Sequence, residues 1–133
     1  MPVATPAADL SSPCPSFQLP DVFGRPVARD DFAGQRALLV VFFCNHCPYA
    51  QAVEDRVIAL ARECQPEGLQ VVLICSNDAH SYPDDAPAKL KERAEQKRYP
   101  FPYLVDESQT VARAFGAVCT PDFFLYDLSL IHI

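Results

Sequence analysis

A chain of 133 residues, 50% hydrophobic, suffices for one domain that buries roughly two thirds of the surface its unfolded form exposes. Its formal charge of -6, from 17 acidic and 11 basic residues, argues against an electrostatic role on nucleic acid or an anionic membrane surface. No apolar run approaches the about 20 residues that span a bilayer, and MPVATPAADL lacks the basic flank and continuous apolar centre of a secretory signal, so a soluble, cytoplasmic protein is expected.

Residues 1–15, rich in Pro, Ala and Ser without periodicity, read as a loosely held lead-in that includes Cys14. FQL (17–19) and PVA (26–28) flank DVFGR, where Gly24 suits a tight turn, so a hairpin is expected. Asp30 to Gly34 suggest one helical turn. ALLVVFF (37–43) is apolar on both faces and rich in Val and Phe, the pattern of a central strand covered on both sides.

From Pro48 the spacing becomes helical, with Tyr49, Val53, Val57, Leu60, Ala61 and Cys64 on the apolar face and Glu54, Asp55 and Arg56 off it. This helix ends before Pro66 and Gly68. LQVVLIC (69–75) is a second buried strand, and strand, helix, strand is the unit that builds a parallel sheet. After the loop 76–85, Asp84 or Asp85 is expected to cap a helix running to about Arg98, with Pro87 in its first turn and a thin apolar face of Leu90 and Ala94. Its basic residues alternate with Glu92 and Glu95 and read as a solvated face. FPYLVD (101–106) is a third strand, 108–115 a short helix stopped by Gly116, and DFFLYD (122–127) a fourth strand. The alternation predicts an α/β domain with its site in loops at the carboxyl ends of the strands.

Of the six cysteines only Cys44 and Cys47 have a spacing that carries meaning by itself; Cys64 and Cys75 fall at core positions. Pro48 favours the first position of a helix, which puts Cys47 at its N-cap. There the unpaired amides and the helix dipole favour a thiolate and can bring a cysteine pKa from about 8.5 into the range of about 3.5 to 7.5. Cys44, at the strand end, lacks that help. Cys47 is therefore the candidate nucleophile and Cys44 its candidate partner, against the plainer reading of two ordinary strand-end thiols. His46 either stabilises the Cys47 thiolate as an imidazolium or sits inert in the loop. Asn77, Asp78 and His80 follow the second strand and should emerge on the same edge, or else serve loop solvation.

The segments PSFQLPDVFGRPV, LLVVFFCNHCPY, ICSNDAHSYPDD and GAVCTPDFFLYD, from about Ser16 to Asp127, resemble the thioredoxin-fold superfamily and, within it, the peroxiredoxin-like AhpC/TSA (redoxin) family. The resemblance implies a three-layer α/β/α domain over 16–127 with an N-terminal β-hairpin. It implies thiol-redox activity without a cofactor, a disulfide- or peroxide-type substrate and a thiol electron donor. It also implies that Thr120-Pro121 is a cis-proline turn facing Cys47; Cys119, beside that turn, is then an alternative resolving thiol or a small buried residue. In this pattern Cys47 takes the place of the attacking cysteine, Ala50 the thioredoxin resolving position, and Val41 the place of a buried strand carboxylate. Cys44 and Val40 stand where a peroxiredoxin keeps its hydroxyl and proline, so the standard peroxidase site is absent. The family continues after DFFLYD with a further strand and helix, so 128–133, including His132, are expected to be a tail outside the family pattern in a truncated chain.

Two further functions compete. Cys44, His46 and Cys47, with His80 or Asp78 as a further candidate, are ligand types that suit zinc or copper(I). Peroxide sensing through a sulfenic acid needs only one exposed thiol of low pKa at Cys47. The sequence gives no indication of oligomeric state.

Overall fold

The computed structural model describes residues 11–127 and 129–131, so the expectations for His132 and for residues 1–10 lie outside the described residues. Strands β1 (Gln18–Pro20) and β2 (Pro26–Ala28) form an antiparallel hairpin. Gly24 turns it at φ +84, a left-handed conformation that a residue without Cβ adopts freely. A short 3-10 turn (Arg29–Phe32) leads into β3 (Ala37–Phe42), α1 (Pro48–Cys64), β4 (Leu69–Cys75), α2 (Pro87–Lys97), β5 (Tyr103–Val105), α3 (Thr110–Phe115) and β6 (Asp122–Asp127).

The main sheet has the order β5-β4-β3-β6. β3, β4 and β5 are parallel, as the strand, helix, strand order requires, whereas β6 returns antiparallel along the free side of β3. Alternation then sorts the side chains of β3 into two cores. Leu39 and Val41 join Leu73, Val57, Ala61 and Leu90 beneath α1 and α2. Leu38, Val40 and Phe42 join Ile74, Val111 and Phe115 on the α3 side. The result is the expected three-layer α/β/α arrangement. Among the described residues no helix is long and apolar enough to cross a membrane.

Four expectations need correction. The buried stripe of α1 is Ala50, Glu54, Val57, Ile58 and Ala61, rotated from the predicted face, while Tyr49 and Leu60 are exposed. Glu54 enters the interior because Arg93 donates to it from Nε at 2.8 Å and Nη2 at 2.6 Å, and the Tyr99 hydroxyl also donates. The basic side of α2 is thus partly spent on a buried ion pair and is not simply a solvated face. Third, α2 is capped by Ala86, not by Asp84 or Asp85, because the Asp85 carboxylate turns inward to the cysteine loop. Finally, Cys14 is buried rather than loosely held: its N-H donates to the Leu130 carbonyl at 2.8 Å and its own carbonyl accepts from Arg29. Pro13 also pairs with Ile131, so described parts of the expected lead-in and tail meet.

Burial works against the Glu54 charge, but the hydrogen bonds from Arg93 and Tyr99 and the nearby Arg93 and Lys97 charges outweigh it and hold its carboxyl below the usual range. Because the folded value lies below the unfolded one of about 4.3, this contribution to stability is complete above that pH and is lost as pH falls through the folded value. Glu54→Ala leaves the Arg93 charge without its partner and is expected to cost about 3 kcal/mol in urea unfolding near pH 7. The gap between wild type and variant should narrow in acid; a gap that does not change with pH would count against the pairing.

Candidate active site

The geometry begins at the end of β3. Buried on both faces, that strand delivers Cys44 into the interior, and the chain turns through Asn45 and His46 before Pro48 starts α1. Cys47 occupies the N-cap, as predicted, with extended backbone (φ -76, ψ 120). Asn45 fastens the turn. Its side-chain Nδ2 donates to the carbonyls of Asp84 at 3.1 Å and Lys89 at 2.9 Å, and its own carbonyl accepts from Gln51 Nε2 at 2.7 Å. The cysteine turn is thereby clamped between the start of α1 and the start of α2.

Both sulfurs meet Thr120, in the turn before β6. The Cys47 thiol donates to the Thr120 carbonyl oxygen at 3.2 Å, and Cys44 Sγ and Thr120 Oγ1 share a hydrogen bond of 3.3 Å. The Thr120-Pro121 peptide is cis. The two cysteines differ in their surroundings. For Cys47, partial burial disfavours the thiolate, but hydrogen bonding from the Thr120 side chain, the amides of Ala50 and Tyr49 and the Cys44 thiol outweigh it and hold the pKa below the ordinary thiol value. The Sγ makes no full capping hydrogen bond to those amides, so their effect is that of oriented dipoles at a helix start. Cys44 is fully buried, and burial pushes it up to about 11 despite the Thr120 hydrogen bond. The asymmetry makes Cys47 the more acidic thiol and Cys44 the one whose proton is harder to remove.

His46 is tied to Asp85 and Tyr82. Its Nδ1 bonds the Asp85 carboxylate, and its ring stacks on Tyr82 at 4.3 Å with an interplanar angle of 5°. Asp85 was not among the candidates read from the sequence, yet its side chain is completely buried and gathers the site. Oδ1 accepts the N-H of Asn45 at 2.7 Å and of His46 at 3.2 Å, and Oδ2 accepts Asn77 Nδ2 at 3.0 Å. Asn77 therefore joins the site as a support for Asp85. Asp78 and His80 instead build a local turn, with the His80 N-H donating to Asp78 Oδ1 at 2.9 Å.

Cys119 lies beside Thr120 on the wall of a cavity of about 340 Å³ lined also by Phe42, His46, Asn77 and Tyr82. Among the described residues, the group whose ligand atoms converge is Cys44, His46 and Asp85, within 4.8 Å of one another; Cys47, part of the set read from the sequence, is not in it. Both Asp85 oxygens also accept N-H donors of the turn and of Asn77. Cys64, at the end of α1, is outside the contacts of the turn, whereas Cys75, at the end of β4, packs in the same core as Cys44, and burial pushes it up to about 12.

Among functionally curated proteins none matches the chain. Solved structures do. An uncharacterised conserved protein from Geobacillus kaustophilus is 41% identical, with a TM-score of 0.96 over 100% of this chain and 71% of its own. A hypothetical protein from Sinorhizobium meliloti is 38% identical, with a TM-score of 0.93 over 96% of this chain and 69% of its own. The thioredoxin domain of a thiol-disulfide oxidoreductase from Bacteroides vulgatus, 16% identical, shares the fold, with a TM-score of 0.80 over 96% of this chain and 87% of that domain. A family match over residues 10–131 takes in the hairpin, the cysteine turn and β6 together, and by it this chain belongs to the AhpC/TSA family of thiol-redox proteins.

Proposed function

We propose that the protein is a thiol-disulfide oxidoreductase in which Cys47 attacks and Cys44 resolves. The observation that carries this reading is the meeting of both sulfurs at Thr120, with Cys47 the more acidic of the two. The Cys47 thiolate attacks one sulfur of a substrate disulfide, forming a mixed disulfide and expelling the other half as a thiolate. Cys44 then attacks Cys47 Sγ, closing a Cys44–Cys47 disulfide and releasing the second half. The substrate gains two electrons and the protein dithiol loses them; an external thiol donor restores the dithiol. A reducing compartment such as the cytoplasm has that donor at hand.

Disulfide mapping after oxidation with one equivalent of a small-molecule disulfide tests the reading. A Cys44–Cys47 bridge is the expected result. A Cys47–Cys119 bridge would transfer resolution to Cys119. No bridge, together with a sulfenic acid on Cys47 after mild peroxide, would make the protein a single-thiol sensor.

The acidity of Cys47 gives a separate prediction. Because only the thiolate alkylates, the rate of its reaction with iodoacetamide should reach half its maximum below the ordinary thiol value of about 8.5. Cys75, pushed up to about 12 by burial, should stay unmodified over the same range. Peptide mass spectrometry reads both sites in one sample.

A further inference from the structure

Resolution by Cys44 meets an obstacle in its own surroundings. A thiol with a pKa of about 11 is a thiolate in roughly one molecule in ten thousand near pH 7, so its proton must leave as the sulfur attacks. The side chain is fully buried at the end of β3, away from bulk water. An acceptor is close by. Cys44 Sγ, a ring nitrogen of His46 and a carboxylate oxygen of Asp85 lie within 4.8 Å of one another. Asp85 is sealed from solvent, but the imidazole bonded to its Oδ2 is about a third exposed, at 32%. A buried carboxylate is thus connected to the surface through one ring.

We propose that Asp85, acting with His46, takes the Cys44 proton during resolution of the mixed disulfide; the inference rests on the reading that Cys44 is the resolving thiol. As the Cys44 Sγ–Cys47 Sγ bond forms and the bond from Cys47 Sγ to the substrate sulfur breaks, the Cys44 proton passes to the hydrogen-bonded His46–Asp85 pair. The exposed edge of the imidazole releases it to water, and the departing substrate thiolate takes a proton from water in turn. The hydrogen bonds from the Asn45 and His46 amides and from Asn77 hold the carboxylate in position.

A purely structural anchor and a proton acceptor respond with opposite sign to Asp85→Asn. The Asp85 charge adds to the burial that raises the Cys44 pKa. Removing it while keeping the amide hydrogen bonds would, for an anchor, leave resolution unchanged or speed it. For an acceptor, resolution slows. Other groups facing this cluster are Cys47 at the start of α1, Cys75 of β4 and Tyr103 of β5. Burial keeps Cys75, at about 12, and Tyr103 neutral through the neutral pH range. Asp85 is not among the main groups that set Cys47.

The test mixes the reduced full chain with one equivalent of an aromatic disulfide whose halves are each released as a coloured thiolate. The first release follows protein concentration and reports attack by Cys47. The second is independent of concentration and reports resolution. In Asp85→Asn the second release is expected to be about 100-fold slower near pH 7 with the first still present. The deficit should close as pH approaches the Cys44 value of about 11, where hydroxide removes the proton directly. His46→Gln, which retains the backbone hydrogen bonds to Asp85, should slow the same release and gives an independent reading should Asp85→Asn fail to fold. A second release in Asp85→Asn that is unchanged or faster overturns the proposal, and so does equal slowing of both releases. A wild-type protein with no concentration-independent release would instead remove Cys44 as the resolving thiol, and the proposal with it.

Discussion

Cys47→Ser is expected to abolish disulfide exchange, with a loss of about a thousandfold or more, because a serine hydroxyl is not ionised near pH 7 and cannot displace a thiolate from sulfur. The substitution is small and the site is half-buried, so the fold should persist. The hydroxyl can replace the thiol as donor to the Thr120 carbonyl. Activity against a small-molecule disulfide, with circular dichroism to confirm folding, measures the effect. The informative control is Cys64→Ser, which removes a thiol from the far end of α1, outside the contacts of the turn, and should leave the rate near that of wild type. If the two variants lose activity to the same degree, the chemistry does not depend on the helix start.

Cys44→Ser should have an equally large effect of a different kind. Attack by Cys47 continues, but the product stays attached, and turnover is expected to fall about 100-fold or more while a mixed disulfide on Cys47 accumulates. Intact mass spectrometry reads this directly as an adduct of one substrate half. The serine hydroxyl keeps a hydrogen-bonding group beside Thr120 Oγ1, so the turn should hold its shape. Persistent turnover in Cys44→Ser, lost only when Cys119→Ser is added, would move the resolving sulfur to the cavity wall.

How far the site could be read from the chain depends on the sequence distance of its parts. Cys47 at the N-cap and Cys44 at the strand end are consequences of neighbouring residues, of the apolar run before them and the proline after them, and both fall in the positions read from the sequence. Thr120-Pro121 became visible through the family pattern alone, because nothing local ties a Thr-Pro step to a cysteine 73 residues away. Asp85 escaped notice because an Asp-Asp pair ahead of Pro87 is the normal signature of a helix start. What turned one of the two inward was a pair of N-H donors 40 and 39 residues earlier in the chain. The signal was that two acidic residues competed for one cap, and neither became it. Glu54 was misplaced for a related reason. Its partners Arg93 and Tyr99 lie on and just beyond α2, so the periodicity of α1 alone could not show that a charge would be accommodated on the buried side.

The position of β3 has a consequence for what the two redox states can look like. That strand is hydrogen-bonded on both sides, along its whole length to β4 and to β6, and Cys44 follows directly from its end. Such a strand belongs to the last part of a domain to open, so amide hydrogens of Leu38 to Phe42 should exchange with solvent at the slow rate set by global unfolding in either state. A change of state at sulfur is thereby kept from the sheet. Differences in exchange should be confined to the amides of Asn45 and His46, which bond Asp85, and to the first turn of α1.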